Sequence, residues 1–198
     1  MANANRPMGL APVKMITGAP YNGQARLYAI LAANTNAFAI GDPVATDAGG
    51  GSAEGIAAVT LGAAGAPWRG VIVGIFDTKP GIAKIDDLNT IYRPSGAKTK
   101  DWYCLVVDDP NVVFEIQEVG TGTFLTVADI GLNANAVAGA NNGFVSGWQL
   151  NNVGEDVTAT LNCRILELVQ RADNEVGAFA KWLVKINNHE LAAGTVGL

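Results

Sequence analysis

Residues 101–120, DWYCLVVDDPNVVFEIQEVG, constrain the fold more than any other stretch of the chain. The run 102–107 is apolar and aromatic almost without a break, the pattern of a strand covered on both faces. Asp108-Asp109-Pro110-Asn111 then reads as a turn, because proline fixes φ and pushes Asp109 before it out of the helical region. Beyond the turn Val112, Phe114 and Ile116 alternate with Val113, Glu115 and Gln117, which predicts a strand with one face in a core. Read locally, the two strands and their turn make a hairpin. It offers packing surfaces and backbone edges but no reactive group.

The rest of the chain repeats this grammar. Strand-like runs fall at 24–31, 56–61, 69–76, 144–150, 159–171 and 180–187, with a turn and short strand at 39–46. Pro43 confines that short strand to an edge or to its own first position. The link ADNEVG predicts a hairpin between the last two runs. Residues 47–55, DAGGGSAEG, read as a flexible loop, and 77–100 as a long irregular excursion. One short helix is expected after Thr126, which can cap it, with Asp129 in the first turn; Gly131 and Asn133 end it. Many short strands, frequent turns and one small helix predict an all-β fold, a single sandwich or barrel. Residues 1–14 show neither helical nor strand period and read as an extended arm; 15–198 form the β domain.

Composition narrows the function classes. Of 198 residues, 49% are apolar and 16% charged, against roughly 25% charged in an average soluble protein. So weakly charged a surface suits a protein packed among other proteins, and equally a Gly/Ala-rich domain with long loops. A net charge of −5 argues against direct contact with nucleic acid. The densest basic cluster, Arg93, Lys98 and Lys100, reads as a solvated loop. Cys104 and Cys163 lie in apolar runs and are expected as unlinked thiols of a chain kept in a cytosol-like compartment. The first residues lack the apolar segment of a secretory signal, and the apolar window 55–76 is broken by Gly65, Pro67 and Arg69, so no membrane partner is expected.

Catalytic patterns are sparse. His189 has no second histidine or nearby cysteine to complete a metal site. Gly120-Thr121-Gly122-Thr123 lacks the lysine that follows in phosphate loops and reads as a glycine-rich turn. The pairs Asp86-Asp87 and Asp108-Asp109 could offer oxygen ligands to calcium, yet turn propensity alone delivers such pairs. A carboxylate pair for glycoside hydrolysis is compatible with an acidic β protein, and nothing selects which two residues would form it. No cofactor is expected.

Several segments together carry a family resemblance: MANANRP at the start, GDPV (41–44), RGVIVG (69–74), RPSGA (93–97), DDPNVVFEIQE (108–118), VADIGLNAN (127–135), LVQRADNEVG (168–177) and KWLVKINNHEL (181–191). The chain resembles virion structural proteins of tailed bacteriophages, the head decoration or cement proteins. The resemblance implies a β-rich, in some members jelly-roll-like, non-enzymatic protein. It implies a homo-oligomer (dimer or trimer) on the outer capsid surface that bridges major capsid protein subunits after synthesis in the host cytoplasm. A minor head or head–tail joining protein is the alternative within virions, and a β-sandwich hydrolase or carbohydrate-binding module the alternative outside them.

The arm is the expected contact, with a frayed tail as the alternative. Pro7, Gly9 and Pro12 bar a helix there, and Arg6, Met8, Leu10 and Val13 are the candidate contacts to capsid or neighbouring subunit. On that reading, removing residues 1–13 abolishes binding and leaves the domain folded.

Overall fold

A computed structural model describes residues 3–80, 90–141, 143–192 and 194. Its strands, in chain order, are β1 (Ala11–Met15), β2 (Arg26–Ile30), β3 (Phe38–Ala39), β4 (Pro43–Gly51), β5 (Ala57–Leu61), β6 (Gly70–Phe76) and β7 (Tyr92–Arg93). They continue with β8 (Trp102–Val107), β9 (Val112–Gln117), β10 (Asn133–Ala134), β11 (Ala136–Val137), β12 (Gln149–Leu150), β13 (Cys163–Leu168) and β14 (Lys181–Ile186). The fold is all-β. The helical element among the described residues is one 3₁₀ turn, Val127–Asp129, capped as its sequence predicts: Ala128 N–H donates to Thr126 Oγ1 at 3.2 Å, and Thr126 N–H to Asp129 Oδ2 at 2.7 Å.

Two bodies of sheet share one core. Strands β2-β5-β4-β6-β8 close into a barrel, with β2 and β5 parallel at the seam. Strands β1-β9-β14-β13-β10 form an antiparallel five-stranded sheet. Tyr28, Ile30, Val44, Val59, Ile72 and Val106 belong to one buried cluster, made by the barrel strands. A second cluster joins Trp68, Val71 and Val107 to Phe114, Leu150 and Trp182, so barrel and sheet bury each other. Within it Trp68 meets Trp148 edge to face, ring centres 5.7 Å apart.

The 101–120 stretch departs from the hairpin its turn suggests. β8 pairs with β2 and β6 in the barrel, while β9 pairs with β1 and β14 in the sheet. A strand has two edges, and here all four are filled by other partners, so the turn hands the chain from one body to the other. Its local chemistry is intact: Asp109 Oδ1 accepts Asn111 N–H at 2.8 Å, and Val112 N–H reaches Asp109 O at 3.2 Å. The predicted 159–171/180–187 hairpin does form, as β13 with β14.

The arm also differs from expectation. Residues 11–15 are an edge strand on β9, and Leu10 is 1% exposed in the shared core. Periodicity misses this strand because register shifts between Pro12 and Lys14, with Val13 as the bulge. Pro12, lacking an N–H, is tolerated on an edge. A truncation through Val13 therefore cuts into the domain. Three smaller readings change as well. β4 runs on to Gly51 through the stretch read as a loop, and of 144–150 Gln149–Leu150 alone is strand. Arg93 is buried, not solvated: its guanidinium donates to Asn36 O and Asn34 O at 2.7 Å each and lies over the Phe38 ring at 5.7 Å.

Candidate functional site

The N-terminal segment lies on the body as a strap. Asn3 Nδ2 donates to Glu175 O (2.8 Å) and Ala178 O (3.0 Å), and its Oδ1 accepts Glu175 N–H at 3.0 Å. Gln117, on the outer face of β9 and 1% exposed, grips the next turn of chain. Its Oε1 accepts Arg6 N–H at 2.8 Å and its Nε2 donates to Asn5 Oδ1 at 3.0 Å. Leu10 N–H then donates to Gly41 O at 3.0 Å. The crossing is tight: a Cβ on Gly9, whose φ is +69°, would lie 2.2 Å from Gly41 O. Only glycine accepts both the left-handed backbone and the close approach.

Beneath the crossing sits Asp42, 3% exposed, which accepts Ala39 N–H at 2.8 Å and bonds the Ser146 side chain. Burial pushes its carboxyl up to about 6, against the pull of those two bonds. Beside it opens a cleft of about 510 Å³ lined by Asn5, Arg6, Pro7, Met8, Ala140, Val145 and Ser146. Arg6 and Met8 of the expected contacts thus share one wall. Leu10 is buried in the core, and Val13 stands outside the cleft on the edge strand, 42% exposed.

A second polar centre ties the barrel to the C-terminal segment, and sequence reading missed it. Tyr28 donates to Asp108 Oδ2 at 2.7 Å and accepts Arg69 Nε–H at 2.9 Å. Arg26 adds an ion pair to Asp108 at 3.4 Å, and Arg69 reaches Glu190 at 3.7 Å. Glu190 also accepts both the backbone N–H and the hydroxyl of Thr46. Burial raises the Tyr28 phenol and Asp108 adds to the rise, so the group stays protonated and acts as a bridge. His189 is buried, with Nδ1 accepting Leu191 N–H at 3.0 Å; burial lowers its pKa and keeps the ring neutral. Trp68 and this segment exchange backbone bonds, Trp68 N–H to Asn188 O and Glu190 N–H to Trp68 O, each 2.9 Å. The chemistry is that of a clamp: the acidic and basic groups face one another.

A third buried carboxylate, Glu118, is fully buried and accepts Leu125 N–H at 3.1 Å through Oε2. Its Oε1 and the Trp182 indole N–H both lack a hydrogen bond of acceptable geometry, although the indole still favours the charged form. Burial dominates and pushes Glu118 up to about 7.

The metal candidates disperse. Asp108 is committed to Tyr28 and Arg26, and Asp109 to Asn111, so the pair does not converge. Asp86-Asp87 lies outside the described residues. Among the described residues no three His, Cys, Asp or Glu side chains group for a metal. Cys104 and Cys163 are buried free thiols, Cys163 pushed up to about 12 by burial. No helix among the described residues is long and apolar enough to cross a membrane. Comparison with family models, curated proteins and solved structures finds no match.

Proposed function

We propose that the chain is a non-enzymatic decoration protein of a tailed-phage head, seated on the outer capsid surface and bridging major capsid protein subunits through its N-terminal segment. The observation that carries this reading is a series of exposed large apolar side chains on that segment, Met8 (37%), Val13 (42%) and Ile16 (49%). The segment they stand on is pinned to the body by Gln117, Gly41 and β9. Apolar groups presented on a fixed backbone suit docking, since little ordering remains to be done on binding. The low charge density and the segment-by-segment sequence resemblance support the same reading.

Both sheet edges are blunted, which bears on how copies associate. Beside the outer edge of β1, Lys14 bridges Pro20 and Tyr21 N–H donates to Val13 O; β10 at the other edge exchanges backbone bonds with Asp156. Side-chain faces, not strands added to the five-stranded sheet, then make the homo-oligomer.

Copy number in purified virions of the phage encoding the chain tests the proposal. A decoration protein is present in hundreds of copies, whereas about a dozen identifies a head–tail joining protein on a ring of that symmetry. Absence from virions, with a hit in a glycan screen, replaces both by a carbohydrate-directed β protein.

A further inference from the structure

Five of the six arginines are engaged through their side chains. Arg26 pairs with Asp108, Arg69 with Tyr28 and Glu190, and Arg171 with Glu115, while Arg93 and Arg164 bond oxygens of asparagines. The guanidinium of Arg6 has neither an ion pair nor a hydrogen bond among the described residues, and it is exposed at the rim of the strap cleft. Around it the cleft wall is Pro7, Met8, Ala140 and Val145, with Ser146 turned to Asp42 and Trp148 N–H below. One free guanidinium beside an apolar hollow is a defined recognition pattern.

We propose that this cleft docks an extended peptide segment of the partner protein in which a carboxylate neighbours a bulky apolar side chain. The proposal deepens the decoration reading and rests on it for the identity of that partner as the shell protein. Charge selects the occupant: a guanidinium offers paired N–H donors that match a carboxylate in fork geometry. The hollow, about 510 Å³, holds a few side chains and not a folded element. Thioether and proline walls accept aliphatic or aromatic groups without hydrogen-bond demands, and methionine adapts to their shape. The site is built in advance. Gln117 fixes the backbone of Asn5 and Arg6, Pro7 restricts φ, and the Gly9–Gly41 contact stops the strap from lifting at its far end. Nucleic acid is a poor occupant for a single cation on a chain of net charge −5.

The test uses the full chain, labelled with nitrogen-15, and two probes, Ac-Leu-Asp-Leu-NH2 and Ac-Leu-Asn-Leu-NH2. Titration with the aspartate peptide is expected to shift the amides of Met8, Ala140, Val145 and Ser146 saturably, with a dissociation constant of about a millimolar. The asparagine peptide, and Arg6→Gln titrated with the aspartate peptide, are each expected to bind about tenfold more weakly, the loss of one charge-assisted pair. Arg6→Lys recovers part of the affinity, because charge survives and the fork does not. Absence of saturable shifts at these amides, equal binding of both peptides, or shifts that grow with protein concentration alone (a second copy as occupant) overturns the proposal. Capsid binding separates this from the broader reading. Peptide binding without capsid binding leaves the cleft standing and removes the shell as partner; capsid binding unaffected by Arg6→Gln removes the cleft from a decoration protein.

Discussion

Two places in this molecule use arginine in opposite ways. At the barrel's junction with the C-terminal segment, Arg26 and Arg69 close a circuit with Asp108, Tyr28 and Glu190. At the strap cleft, Arg6 stands with its backbone tied and its guanidinium open to an incoming group. The first arrangement uses charge to hold the chain together; the second holds backbone rigid and leaves charge available.

The contrast can be broken by mutation, beginning with the strap's inward side. Leu10→Ala empties a fully buried position in the shared core and is expected to cost about 2 to 5 kcal/mol, read as a falling denaturant midpoint at unchanged m. A loss near zero would mean the strap packs on nothing. At the junction, Asp108→Ala leaves the buried Tyr28 hydroxyl proton without its acceptor while the exposed Arg26 turns to water, with an expected loss of about 1 to 3 kcal/mol by the same measurement. Tyr28→Phe should cost less, because both charged neighbours keep other contacts.

Acidity offers a third cut. Asp42 titrates near 6 and Glu118 near 7 in the folded protein, both raised by burial above ordinary carboxylates. The folded state therefore holds protons that the unfolded chain releases from about pH 4 upward, so this stability is fullest at low pH and is lost as pH rises through 6 to 7. A tenfold change in acidity corresponds to roughly 1.4 kcal/mol, less where solvent screens the group. The two carboxyls, offset in part by buried His189 whose lowered pKa favours the folded state as pH rises, are expected to make the melting temperature about 5 °C lower at pH 8 than at pH 5. Asp42→Asn keeps an acceptor for Ala39 N–H and is expected to flatten part of that slope, raising Tm at pH 8 alone. The smallest effect is the most diagnostic. Arg6→Gln is expected to shift Tm by no more than about 1 to 2 °C, since no contact within the described residues depends on its guanidinium.

The strands were legible from sequence wherever the rule is local. Alternation at 112–117 and at 180–187, the β-branched run at 69–76 and the Thr126 cap all act within a few residues, and each appears in place. Partnership was not legible. A turn such as Asp108–Asn111 fixes a change of direction, while the choice between neighbouring β8 and distant β14 depends on which faces must be buried together. Val13 hid an entire strand because a bulge shifts the period that alternation counts. Of the four arm residues singled out, Arg6 and Met8 share the cleft, whereas Leu10 is a core residue set among proline, glycine and alanine. Arg93 escapes a local reading for a related reason: its acceptors, the carbonyls of Asn34 and Asn36, lie more than fifty residues upstream.

The handover at Asp108 also orders events in time. Every strand of the barrel lies between Arg26 and Val107, so its strand pairings are available before β9 is made, while Trp68, Val71 and Val107 stay uncovered until the sheet arrives. The sheet has no such autonomy. Its second strand, β9, is flanked on one side by β1, which precedes the barrel, and on the other by β14, which follows every other described strand. Until Lys181–Ile186 emerges, β9 has one open edge and Trp182 is missing from the core. The N-terminal strap thus waits, bound to a half-built sheet, until β14 is made. Closure of the second body, and with it the final seating of the strap, waits on β14.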